Sequence, residues 1–99
     1  MWKELKESSP DAAIVAEGRI VAAGALADKG DLQAAVRVME QVRKDPAKVR
    51  EHHLREWYVL ADLYDRSGDV IKAREWFTKI SRQDKGFADV DARLAELGV

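Results

Sequence analysis

The chain has no cysteine. A disulfide framework and a thiolate metal site are therefore both closed to it, and its core must be held by packing alone. Proline occurs twice and glycine six times, and these breakers sit where helices begin or end rather than inside alternating, strand-like runs. No run approaches the roughly 18 apolar residues of a membrane span. The opening MWKELKESSP lacks the long apolar stretch of a secretory signal, so a cytoplasmic location is the expectation. Charge of one sign is also missing. The 17 basic and 18 acidic residues are mixed along the length and leave a net charge of −1, so no long-range field exists to gather nucleic acid or an anionic membrane.

What is present is enough for one small domain with a modest core, at 99 residues, 46% hydrophobic and 35% charged. The pattern is all-α. Ser9-Pro10-Asp11 supplies a cap, a proline suited to the first helical position and an acid for the first turn, opening a helix that runs to about Lys29. Asp45-Pro46 repeats the signal and predicts a long helix to about Ser67. Gly30 and Gly68 end these helices, and Asp31 and Asp69 directly after them are placed to cap the next ones. A short helix over Trp2 to Glu7 and a last one over Phe87 to Leu97 complete the expectation. The single domain then divides into 1–8, 10–44, 45–83 and 87–97.

Gly30-Asp31 and Gly68-Asp69 recur 38 residues apart, and their flanks follow. Downstream, Ala35 and Met39 match Ala73 and Phe77. Upstream, Leu26, Ala23, Ala22 and Arg19 match Tyr64, Ala61, Leu60 and Trp57. One helical pair per period is the mark of a stacked helical repeat. Trp57, Leu60, Ala61 and Tyr64 fall on one stripe of a helix, and Ala73, Phe77 and Ile80 form the stripe expected to face it. Alanines at 61 and 73 permit close approach, with the large rings filling the space beside them.

At these residues the chain resembles the tetratricopeptide repeat family. Trp57-x-x-Leu60-Ala61-x-x-Tyr64, followed by Gly68, Ala73 and Phe77, matches that family's pattern over about 54–85. A weaker copy covers about 16–46, where Arg19 stands in place of Trp, Leu26 in place of Tyr and Met39 in place of Phe. The period exceeds the family's roughly 34 residues by about one helical turn, a surplus expected in DPAKVREHHLRE as an unusually long helix. Phe87, Val90, Leu94 and Leu97 resemble the capping helix that closes such arrays.

The resemblance implies a non-catalytic protein-interaction scaffold, without cofactor, presenting a concave groove to a peptide or protein partner. Carried over by position, the groove residues are Glu17, Ile20, Gly24 and Ala27 from the first repeat and Arg55, Tyr58, Asp62 and Asp65 from the second, with Arg66 beside them. Tyr58 is the foremost contact candidate, an aromatic ring with a polar tip. Asp62 and Asp65 lean the groove toward a partner carrying positive charge. Some members of the family grip a partner's C-terminal carboxylates with a lysine and two asparagines; here the corresponding positions are Ile20, Gly24 and Val59, so this clamp is not expected.

The one constellation with catalytic or metal-binding residue types is REHHLRE, with Glu51, His52, His53 and Glu56. His52 and Glu56 are one turn apart and suit a shared ion. Adjacent histidines on a helix diverge by about 100°, however, so both cannot join Glu56 at one site. His53 lies four residues before Trp57 and extends the core stripe, which reads as a packed or hydrogen-bonded histidine. No metal, cofactor or catalytic set is expected. Arg37, Arg43, Lys44, Lys48 and Arg50 form a basic stretch, but Glu40, Asp45 and Glu51 interrupt it and limit any counterion release, so nucleic acid is not an expected partner.

The first long helix departs from the amphipathic rule. DAAIVAEGRIVAAGALADKG is apolar nearly all round, and Ile14, Val15, Ile20 and Val21 do not fit one stripe, so something must cover them. The candidates are Trp2 and Leu5 folding back, a homodimer through Ile14, Val15 and Val21, or a docking surface within a longer protein. Two repeats are fewer than the three or so usually needed for a stable array. Self-association through this helix is the alternative to peptide capture.

Overall fold

A computed structural model describes residues 10–42 and 45–98. Their five helices are α1 (Pro10–Asp28), α2 (Leu32–Met39), α3 (Glu51–Arg66), α4 (Val70–Gln83) and α5 (Val90–Glu96), with no strand among the described residues. The helix expected over Trp2 to Glu7 lies outside them. None of the five is long and apolar enough to cross a membrane.

Two short turns organise the chain, and the same chemistry builds both. At Gly30 the Asp31 N–H donates to the Leu26 carbonyl at 2.9 Å and the Gly30 N–H to Ala27 at 2.9 Å. At Gly68 the Asp69 N–H donates to Tyr64 at 2.8 Å and the Gly68 N–H to Asp65 at 3.1 Å. This is a Schellman ending, and it needs a residue in the left-handed region, here Gly30 at φ 87° and Gly68 at φ 90°. Each aspartate then caps the following helix: Asp31 accepts from the Ala34 N–H at 3.0 Å, and Asp69 from the Lys72 N–H at 3.1 Å. One aspartate per turn thus serves two helices.

The turns fold α1 onto α2 and α3 onto α4, while α3 packs against the first pair and α5 against α4. The equivalent alanines Ala23 and Ala61, Ala35 and Ala73, and the pair Met39 and Phe77, are all fully buried. Around them Trp57, Leu60, Leu63, Trp76, Ile80 and Val90 complete one continuous core. The Trp57 and Trp76 rings lie 6.2 Å apart at 59°, within the range of tilted aromatic contacts.

Two helix boundaries differ from the sequence reading. The helix expected to begin after Asp45 begins at Glu51, so the extra residues of the second period form an irregular connection and not a longer helix. Pro46 in that connection is buried, and Val49 packs on the core. Arg50 is extended, with φ −116° and ψ 170°, and its N–H donates to His53 Nδ1 at 2.8 Å; this side-chain cap sets the start of α3. The final helix expected from Phe87 starts at Val90, because Ala88 adopts φ 48° and breaks the path between them. Phe87 still packs against the core.

Candidate functional site

The residues assigned to a groove separate into two groups. Toward α1, Glu17 accepts from Arg55 at 2.6 Å, with both side chains nearly half exposed. Such a pair contributes less than about 1 kcal/mol. Ile20 is partly buried against the core, and Ala27 is buried in it. Gly24 lies in α1, and among the described residues nothing comes within 4 Å of where a Cβ would stand.

Toward α5, the α3 face formed by Tyr58, Asp62 and Asp65 is engaged by the chain's own C-terminal residues. Arg93 donates to Asp62 Oδ1 and to Asp65 Oδ2, each at 2.9 Å, and to the Tyr58 hydroxyl at 3.2 Å. The Tyr58 hydroxyl donates to Asp89, and its ring meets Phe77 edge-on at 5.5 Å. Burial and the Asp89 acceptor push the Tyr58 hydroxyl above its ordinary pKa. The Arg93 guanidinium also stands over the Phe77 ring at 4.9 Å. Arg66 reaches back to Asp62 at 3.6 Å. The cation that Asp62 and Asp65 hold is therefore Arg93, within the chain.

The histidine pair sits at the start of α3. His53 is buried, and its Nδ1 accepts the Arg50 N–H, which requires the lone pair on that nitrogen. His52 stacks obliquely on it, ring centres 4.2 Å apart. Glu56 is buried and ion-paired with Arg19 of α1. Among the described residues no three side chains of His, Asp, Glu or Cys gather as a metal-ligand set.

The sequence names Arg19 and Glu56 as separate candidates without pairing them, and it gives no role to Asp89 or Arg93. For Arg19 a signal existed: it occupies the place of a core tryptophan, and a charge there needs a counterion. Two acids one turn apart on α3, Asp62 and Asp65, were the signal for Arg93. Nothing local marks the arginine 28 residues later that answers them.

The remaining surface feature is on α1. Ile14 and Val21 are each 67% exposed and Val15 is 37% exposed. Gly18, Ala22 and Ala25 on the same side are exposed as well. The 38-residue offset maps Gly18, Ala22 and Ala25 onto Glu56, Leu60 and Leu63, which are all buried in α3. The face of α3 that packs against the preceding helix pair thus has an uncovered counterpart on α1. Comparison of the chain with protein-family models, curated proteins and solved structures gives no match.

Proposed function

We propose that this chain is a non-catalytic protein-interaction module, a tandem pair of antiparallel helical hairpins of the tetratricopeptide type acting in the cytoplasm, and that its contact surface is the outer face of α1. The hairpin reading is supported by the 38-residue offset, by the two Gly-Asp turns with equivalent hydrogen bonds and by the burial of Trp57, Ala61, Tyr64, Ala73 and Phe77. The observation that carries the choice of surface is the exposure of Ile14 and Val21, each 67%, on a helix with few charges. An apolar face of this kind on a small domain marks a place of contact.

Peptide capture in the groove lined by Glu17, Ile20, Arg55, Tyr58, Asp62, Asp65 and Arg66 is the weaker reading. Arg93, Asp89 and Arg55 already hold its charged and hydroxyl groups, so a ligand has to displace an internal partner for each bond it gains. The two surfaces are separable by capture from an extract of the native host on the immobilised full chain. Val21→Glu should abolish capture, while Arg55→Glu and Tyr58→Ala should leave it intact. Loss with the groove variants and retention with Val21→Glu would reverse the assignment.

A further inference from the structure

The outermost residues of α1 form a seam. Ile14, Gly18, Val21 and Ala25 follow one another at intervals of four, three and four residues, the spacing that keeps a stripe facing a second helix along a heptad. All four are exposed. The spacing reads the same in both directions, and its composition is complementary under that reversal, with branched Ile14 and Val21 against small Ala25 and Gly18. We infer that the occupant of this face is a second copy of the chain, bound antiparallel about a two-fold axis passing between Arg19 and Ile20. This deepens the reading of α1 as the contact surface and rests on it.

In that arrangement Ile14 of one copy packs beside Ala25 of the other, and Val21 beside Gly18, so each branched side chain enters the space left by a small one. A parallel pair sets Ile14 on Ile14 and Gly18 on Gly18, leaving bulk against bulk and a void against a void. The glycine is informative in its own right. Among the described residues a Cβ at Gly18 meets nothing within 4 Å, so none of them requires glycine there, although glycine in a helix interior is less favourable than alanine. Close approach of a second backbone uses it.

Antiparallel α1 helices align their dipoles favourably. Head-to-tail stacking is closed because α5 already covers the far end of α3 and α4, through fully buried Val90 and the Arg93 contacts. Self-association is therefore isologous. A single-helix contact is small beside the ~800 Å² per partner of a standard interface, so the dissociation constant should be on the order of 10 µM.

The absence of cysteine from the 99 residues makes a direct test available in this chain. Positions 14 and 25 are about 16 Å apart along one helix, too far for a disulfide within a chain, which needs Cα atoms under about 7 Å apart. The double variant Ile14→Cys/Ala25→Cys should oxidise to a covalent dimer, whereas Ile14→Cys and Ala25→Cys alone should not. Light scattering of the native chain above about 100 µM, well past that dissociation constant, should approach twice the 11.1 kDa chain mass, and Val21→Glu should return it to one chain with helicity unchanged. Cross-linking of the single variants would indicate a parallel pair and overturn the inference. A chain monomeric throughout, whose capture of another protein is still lost in Val21→Glu, would overturn the dimer and leave α1 as a surface for that protein. A monomer in which Val21→Glu instead lowers thermal stability would show the face covered within the chain, and would sink both.

Discussion

Arg19 on α1 donates to Glu56 on α3 across 37 positions of sequence, and the carboxylate it reaches is only 4% exposed. The pair joins the two helix pairs at the position where the repeat pattern otherwise sets a tryptophan. A buried carboxylate deprived of its guanidinium is costly, whereas replacing both members of a buried pair by apolar groups is often nearly neutral. Arg19→Met should therefore destabilise the fold by about 2 kcal/mol, a value below the fully buried range because the Arg19 side chain is a quarter exposed. Arg19→Met/Glu56→Leu should lose less than Arg19→Met alone. Urea denaturation giving additive losses for the two sites would show that the ion pair is not what couples them.

Trp57 and Tyr58 are adjacent and stand on different faces of α3. Trp57 is 1% exposed, and Trp57→Ala should cost about 3–5 kcal/mol by opening a core cavity, a large share of the stability of so small a domain. The sequence alone suggests a cost under about 1 kcal/mol for Tyr58→Ala, as for an exposed residue. The contacts with Phe77, Asp89 and Arg93 raise that expectation to about 2 kcal/mol. Chemical denaturation ranking Tyr58→Ala above Trp57→Ala would contradict the assignment of faces.

The parts of the fold legible in sequence are those set by local chemistry. Gly30-Asp31 and Gly68-Asp69 fix a turn and a cap within a few residues, and the alanines at 23, 61, 35 and 73 mark close helix approach by their spacing alone. The start of α3 was not legible, because its cap is the His53 imidazole accepting from Arg50, outside the Ser, Thr, Asp and Asn vocabulary that Asp45-Pro46 fits. Helical periodicity groups Arg55, Tyr58, Asp62 and Asp65 on one face of α3; Arg93 meets the last three, while Arg55 pairs with Glu17 of α1. The arrival of Arg93 is not legible, since it is brought there by the packing of α5, and periodicity within α3 carries no information about a helix beyond α4. The excess apolar surface of α1 was visible as composition, whereas its division into buried Ala16, Ala23 and Ala27 and exposed Ile14 and Val21 depends on where α2 and α3 lie.

Arg93 ties α5 to α3 by two charge-assisted bonds and a tyrosine contact, and α5 is only seven residues long. A helix of that length does not hold together without packing. Arg93→Ala should therefore release α5 before the rest unfolds, giving amide exchange in Val90–Glu96 at least tenfold faster while α3 stays protected. Asp62→Asn and Asp65→Asn should each have a smaller effect, because either change leaves Arg93 one carboxylate. Uniform acceleration across all helices in Arg93→Ala would mean that α5 is not a separate cooperative unit.

Tyr64 gives the fold an alkaline limit. Its hydroxyl donates to Glu40 at 2.6 Å, and burial, reinforced by that carboxylate, pushes its pKa well up from the ordinary phenol value. The unfolded chain releases this proton near pH ~10, while the folded chain keeps it. The resulting contribution is fully present below pH ~10 and is lost as pH rises from there toward the folded value. Stability measured at rising pH should fall beyond about pH 10, and Tyr64→Phe should make the decline shallower. An unchanged slope in Tyr64→Phe would assign the alkaline loss to other groups.

Two glycines six residues apart, Gly24 and Gly30, should respond in opposite directions to the same substitution. Gly24 is inside α1 with no described residue within 4 Å of a Cβ there, whereas Gly30 holds φ 87° in the Schellman turn. Gly24→Ala should stabilise by about 0.5–1 kcal/mol, because alanine loses less backbone freedom on folding and meets no obstacle among the described residues. Gly30→Ala should destabilise by about 1–2 kcal/mol, the cost of placing a Cβ in the left-handed region. Its equivalent Gly68→Ala should lose a similar amount, since Gly68 holds φ 90° and the two Schellman hydrogen bonds are the same in both turns. Thermal melts of the three variants test this, and a loss in Gly24→Ala as large as that in Gly30→Ala would show that a neighbouring backbone already occupies the space beside Gly24.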